Sequence, residues 1–307
     1  MWVHRPLGPV LVFGEVLFDH FESGKRLGGA PFNYAFHMHK LGFPVYFISR
    51  VGDDAEGREI LDFARRHGFP TEGIQVDPDH KTGGVTVAQN GRGGHQFEIM
   101  PDRAYDYIEL EPYVQKRLQE DIPLVYYGTL AQRNSVSRET LAAILKQLGA
   151  KSTFLLDINL RAPFYDRERV DSALKSCDVL KLSLEELKEI KNLLGIDKPL
   201  PEMARYLGDR YRLGLLCVTH GSKGCHIVEA GTRKVFDCKP DDSATIIDTV
   251  GAGDGFSAML SAGYLAGWPK QSMLERACLF ATGICEIQGA LPEDEAFYEP
   301  FQFQFQK

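Results

Sequence analysis

An aspartate at the mouth of a glycine turn is suited to taking a proton beside a bound anion, and residues 244–265 (ATIIDTVGAGDGFSAMLSAGYL) offer one. The β-branched run 244–247 predicts a strand, Gly251, Ala252 and Gly253 a turn, and Asp254 the start of a helix. Such a turn converges backbone N–H groups on one point, and the helix dipole adds to their pull on negative charge. Beside a phosphoryl group held there, Asp254 is placed to accept a proton from an attacking hydroxyl. Aspartate is also a good helix N-cap, and the segment alone leaves both roles open. It is not a dinucleotide fingerprint, because Phe256 stands where the third glycine belongs. Nor is it a P-loop, since no G-x-x-x-x-G-K-[ST] string occurs.

A second glycine turn, Gly28-Gly29-Ala30-Pro31, precedes a predicted helix over 32–41. Asn33 in its first turn can bond a ligand hydroxyl, although glycine and proline also open ordinary helices. Asp157-Ile158-Asn159-Leu160-Arg161 ends a predicted strand with three polar side chains, where α/β sheets place ligands. Arg161 there faces either a ligand or solvent. Ser183-Leu184-Glu185-Glu186 reads as a capping box. The histidines suggest no metal site: His37 and His39 point to different faces of one helix, and His220 reads as a surface-loop residue.

Positioning these groups requires a scaffold, and the chain supplies alternation. Strands are predicted at 10–13, 44–48, 124–127, 153–157, 179–182 and 213–219, and helices at 54–67, 137–148, 167–176, 184–194 and 202–207. Strands apolar throughout and separated by helices imply a mostly parallel sheet covered on both faces, a three-layer α/β/α domain. Residues 15–27 and 82–106 break the rhythm. They alternate as strands, with Asn90-Gly91 and Gly93-Gly94 as turn residues, and predict a small β-sheet that is either a flap over the site or a decoration.

The 307 residues, with 44% hydrophobic and 25% charged, suit one large soluble α/β domain over 1–307. A net charge of -7 without a basic patch argues against nucleic acid and anionic lipid as partners. The six cysteines form no CxxC pair and read as reduced, mostly buried thiols. Without a secretory pattern or an 18-residue apolar run, the expectation is a cytoplasmic protein that does not enter membranes.

The two glycine turns resemble the paired signatures of the ribokinase (PfkB) carbohydrate kinases: Gly28-Gly29-Ala30-Pro31-x-Asn33-x-Ala35 closed by Leu41-Gly42, and 248–256, DTVGAGDGF. Gly14-Glu15-x-x-x-Asp19 resembles the opening of the fructokinase branch, and the similarity extends along the chain. The resemblance implies a ribokinase-like fold with a β-lid that pairs subunits into a homodimer. It also implies ATP as donor, Mg²⁺, a monovalent-cation site suited to K⁺, and a small sugar as acceptor, with fructose favoured at its 6-hydroxyl.

By position, Asp254 matches the base and Gly251, Ala252 and Gly253 the anion hole. Asp19, Gly28, Gly29 and Asn33 match sugar contacts, with Arg161 toward phosphate or sugar. Thr219, Gly221, Gly224 and Ser183 match the nucleotide side, Glu186 a Mg²⁺-linked carboxylate, and Asp248 and Val250 with loop 285–289 the cation site. Ser183 replaces the family's Asn in N-x-x-E. The arginine that many fructokinases and ketodeoxygluconate kinases carry near Pro101 is missing, with Arg103 as its substitute. A ketodeoxygluconate kinase, a nucleoside kinase and a non-catalytic sugar sensor are the competing readings.

Overall fold

The structure, a computed structural model, describes residues 8–89, 95–229, 232, 234–240 and 244–303. The first half contains β1 (Val10–Phe13), β2 (Leu17–Phe21), β3 (Gly24–Gly28), α1 (Ala30–Lys40), β4 (Val45–Gly52), α2 (Ala55–Arg66), β5 (Ile74–Asp77), β6 (Gly83–Gln89) and β7 (His95–Ile99). Then come α3 (Pro112–Arg117), β8 (Leu124–Tyr127), α4 (Ser135–Leu148), β9 (Thr153–Asp157), α5 (Arg167–Lys175), β10 (Val179–Ser183), α6 (Leu184–Leu194) and α7 (Leu200–Tyr211). The last part holds β11 (Leu215–Thr219), β12 (Cys225–Glu229), β13 (Val235–Cys238), α8 (Ala252–Leu265) and α9 (Lys270–Cys285).

Among the described residues, nine strands form the main sheet in the order β13-β12-β11-β10-β9-β8-β1-β4-β5. From β5 to β11 every pairing is parallel, and β12 and β13 add an antiparallel edge. The alternation of side chains along β1 divides the core. Val10 and Val12 join the apolar cluster of α1, α2, α8 and α9, whereas Leu11 and Phe13 join that of α4 to α7. This is the expected three-layer arrangement. Helix α8 is buried without a break from Gly255 to Gly263, and so shows no polar face.

A second sheet runs in the order β3-β2-β6-β7 and comes from the two segments that broke the helical rhythm. The 90–94 turn residues expected there lie outside the described residues. The six cysteines are free thiols, four of them buried, as expected. Among the described residues no helix is long and apolar enough to cross a membrane.

Two differences from the sequence reading matter. The run 244–247 is irregular rather than a strand. Ile246 and Ile247 are 57% and 62% exposed, and the N–H groups of Ile247 and Asp248 donate to the Cys285 carbonyl. With those donors satisfied by a loop, β-branched propensity alone builds no ladder. The edge strands β12 and β13 and the strand β5 were not anticipated, because each is short and its pairing partner is remote or follows a turn.

Candidate active site

The glycine turns that precede α1 and α8 meet at one cavity of about 250 Å³, lined by Glu15, Asp19, Asn33, Arg161, Gly251 and Asp254 among others. Gly29 precedes α1 with φ of 107°, and a Cβ there would lie 2.7 Å from the Glu15 carbonyl oxygen. Gly251 is the N-cap of α8 at φ 78°, and a Cβ there would meet the Cβ of Ala290 at 2.3 Å. Both positions exclude an ordinary L side chain by backbone conformation and by space. The chain therefore reaches the cavity as bare backbone at both turns.

Asp254 is not the N-cap, which corrects one of the two roles left open: Gly251 holds that position, and Asp254 lies three residues into the helix. Its Oδ2 accepts a hydrogen bond from Asn33 Nδ2 at 2.8 Å, across a separation of 221 residues. Burial pushes the Asp254 carboxyl up to about 7, against the pull of the Asn33 donor, Lys181 and Arg161. A carboxylate poised near neutrality is well matched to taking and releasing a proton. Among the described residues the buried Asn33 Oδ1 has no hydrogen-bond partner, and neither has the Glu15 Oε2.

Asp19 on β2 lies against Gly28, where a Cβ would stand 3.0 Å from its Oδ2. Burial raises its carboxyl, with Arg161, His20 and Arg26 acting in the opposite sense. Apart from Asn159 the remaining wall is apolar, and the second sheet contributes Leu17, Phe21, Val85 and Ile99 to it.

Ser183 and Thr219 sit side by side in register at the ends of β10 and β11. Gly221 begins the tight turn Gly221–Lys223, which Gly224 closes by accepting from the His220 N–H at 2.7 Å. His220 itself stacks on His226 and shares a 2.8 Å contact with it. Glu186 completes the capping box with Ser183, and its other oxygen accepts from the Leu160 N–H at 2.8 Å. The box thereby also holds the loop that carries Arg161. Asp248 accepts from the Val250 and Gly289 N–H groups at 3.1 Å each, and so joins the two loops assigned to a cation. Arg26 pairs with it at 3.3 Å.

Arg103 is not among the cavity-lining residues. Its backbone N–H donates to Asp106 in the turn after β7. The sequence reading passed over Arg133 and Lys181. Arg133 makes two 2.7 Å bonds to Asp106 and one to the Met100 carbonyl. Lys181 lies beneath Gly253, bonded to Asp157 at 2.9 and 3.1 Å. Both pairings are remote in sequence, so no local motif announces them. Glu15 was visible only as part of the Gly14-Glu15 string. Among the described residues no group of three or more His, Cys, Asp or Glu is arranged to hold a metal ion.

A family model described as pfkB family carbohydrate kinase matches residues 9–295. A fructokinase of Klebsiella pneumoniae is 31% identical over 276 residues, covering 84% of this chain and 85% of its own. A probable fructokinase of Arabidopsis thaliana is 30% identical over 310 residues, covering 92% of this chain and 88% of its own. The crystal structure of a Xylella fastidiosa fructokinase with bound ATP superposes with a TM-score of 0.81 at 24% identity, covering 92% of this chain and 93% of that one. The chain belongs to the pfkB family of carbohydrate kinases, in its fructokinase-like branch, and is a phosphotransferase acting on a sugar hydroxyl.

Proposed function

We propose that this sugar kinase transfers the γ-phosphoryl group of ATP to the 6-hydroxyl of fructose. The observation that carries the reading is the Asn33–Asp254 bond, which joins the two glycine turns at a single cavity. In that cavity Asp254 accepts the hydroxyl proton while Asn33 fixes its carboxylate. The amides at the start of α8 face the transferred group with the helix dipole behind them. Asp19 and Asn33 orient the sugar, and Arg161 offers a cation to phosphate or sugar. Thr219, Gly221, Gly224 and Ser183 form the nucleotide side, at the carboxyl ends of parallel strands where such folds take ligands.

Glu186 suits Mg²⁺ in one respect: hard cations bound with nucleotides commonly need only a carboxylate or two beside the phosphates. Each Glu186 oxygen already accepts one amide and retains a lone pair. When bound, Mg²⁺ supplies charge neutralisation on the phosphates. A K⁺ ion suits the junction of loops 248–250 and 285–289, where Asp248 provides the negative charge. The second sheet serves as a lid, since Leu17, Val85 and Ile99 already line the cavity, and closure over it excludes water. Two copies pair through this lid, within a single domain spanning the chain. The protein is cytoplasmic.

The test is ADP release with ATP and Mg²⁺ over a panel of fructose, ribose, 2-keto-3-deoxygluconate and adenosine, with and without K⁺. A fructose-dependent rate that exceeds the others supports the reading. A greater rate with the sugar acid or the nucleoside reassigns the acceptor, and no rate with any of them leaves a sugar-binding protein without transfer.

A further inference from the structure

Asp157 opens the Asp157-x-Asn159-x-Arg161 string, yet its carboxylate does not face the cavity. It is 2% exposed and turned under the first turns of α8. Four bonds converge on it: Lys181 Nζ donates to both oxygens at 3.1 and 2.9 Å, Ser257 Oγ donates at 2.9 Å, and the Tyr126 hydroxyl donates at 3.3 Å. Ser257 stands three residues after Asp254 on the same helix, so the carboxylate ties that helix to β8, β9 and β10 at once. The ammonium of Lys181 also reaches the backbone of the glycine turn. A Cβ added at Gly253 would stand 3.2 Å from its Nζ, so the absence of a side chain at 253 lets the cation come up beneath the turn.

A buried ion pair contributes little to stability on balance, and apolar replacements of similar volume often do as well. Stability alone is therefore a weak reason for placing one here. Phosphoryl transfer, by contrast, depends on fixed positive charge and on precise placement of the base. Burial opposes the charge on Lys181, but the neighbouring carboxylates, Asp157 first and then Glu186, outweigh it and hold the ammonium protonated.

We propose that Lys181 is a positioning residue of the transfer step: through Asp157 and Ser257 it locks the start of α8 against the sheet, and its ammonium is a fixed positive charge beneath the glycine turn. The inference rests on the kinase reading of the same site. The groups that face Asp254 are Asn33 from α1, Glu15 from the β1–β2 turn, Arg161 and Asp157 from β9 and its following loop, Lys181 from β10, and Tyr126 from β8. Lys181 and Asp157 act on it with opposite sign.

Three variants test this: Lys181→Met/Asp157→Asn, Asp157→Asn and Ser257→Ala. The double variant removes both charges, keeps an acceptor for Ser257, and should melt within a few degrees of wild type. It should nevertheless lose at least 10-fold in kcat, with the sugar KM within about 3-fold. Ser257→Ala, which leaves the pair intact, should lose about 3- to 10-fold in kcat at unchanged KM. In Asp157→Asn the acid limb of the kcat/KM profile should move, because Asp254 loses a repelling carboxylate and Lys181 loses the group that chiefly holds it charged.

A double variant with wild-type kcat, or a Ser257→Ala enzyme with wild-type kcat, reduces the network to packing and overturns the inference. An acid limb that stays in place in Asp157→Asn removes its electrostatic part. Wild-type protein that phosphorylates no sugar overturns the kinase reading itself, and an active wild type with silent variants overturns only this one.

Discussion

The two glycine turns look alike in sequence and are held in different ways. The turn before α1 follows directly from β3, and the helix it opens is buried at every position from Pro31 to Met38. The turn before α8 is reached through an irregular segment whose side chains stand in solvent, with Ile246, Ile247 and Val250 at 57%, 62% and 42% exposure. One turn is a wall that the rest of the fold grips from both sides. The other is held from below by the helix itself and the Lys181–Asp157–Ser257 network and from one side by loop 285–290, while the side chains leading into it stay exposed. The difference suits a division of labour in which α1 shapes the acceptor and α8 receives a group that must arrive, react and leave.

Breaking the α8 side should cost most. Asp254→Asn removes the proton acceptor while keeping the bond geometry, and should lower kcat by roughly 10²-fold or more, measured as ADP release at saturating fructose. Its melting temperature should not fall, because a buried carboxylate near neutrality is a burden to the fold. An unchanged kcat would return Asp254 to a structural role.

The turns themselves come next. Gly251→Ala and Gly29→Ala each force a Cβ into an unfavourable φ and against a neighbour, Ala290 in one case and the Glu15 backbone in the other. Each should cost about 1–3 kcal/mol of stability. The kinetic signatures should separate, with Gly251→Ala falling chiefly in kcat and Gly29→Ala rising chiefly in sugar KM. Matching signatures would erase the distinction between wall and receiver.

Asn33→Ala tests the link between the two turns. The sugar KM should rise several-fold. Because the Asn33 donor favours the ionised form of Asp254, its loss should raise that carboxyl above about 7 and move the acid limb to higher pH. A limb that moves down or stays would show that the bond does not couple the turns.

The last effect is on stability rather than on catalysis. Burial raises Glu15 from 4.5 to about 7, so the folded protein retains a proton there that the unfolded chain releases as pH rises through this range. Stability therefore falls between pH 4.5 and about 7, and above it the penalty approaches roughly 3 kcal/mol. Glu15→Gln should melt higher than wild type at pH 8, with the gain gone near pH 4.5. An equal gain at both pH values would place its cause in packing rather than charge.

Much of this was legible in the sequence wherever local pattern decides structure. The apolar runs at 124–127 and 153–157 are strands β8 and β9 to the residue, and the glycine turns open helices as their composition requires. Legibility ended where remote partners decide. The β-branched run 244–247 forms no strand: the N–H groups of Ile247 and of Asp248 just after it go to the Cys285 carbonyl rather than to a ladder. Asp157 looked like a ligand residue at a strand end, and only the fold shows Lys181 and Ser257 claiming it from below. Arg103 was the expected substitute for a missing arginine; the cavity lining does not include it, and its backbone N–H donates to Asp106 in the turn that begins at Ala104.

The central claim is that a buried Asp254, held by Asn33, takes the proton of the sugar hydroxyl. The most direct test is the pH dependence of kcat/KM for fructose in the wild-type enzyme, between about pH 5.5 and 8.5. A carboxyl raised to about 7 must be ionised to act, so the value should climb with pH through about 7 and then level off. A profile that is flat across this range, or one that falls as pH rises through 7, would contradict the assignment.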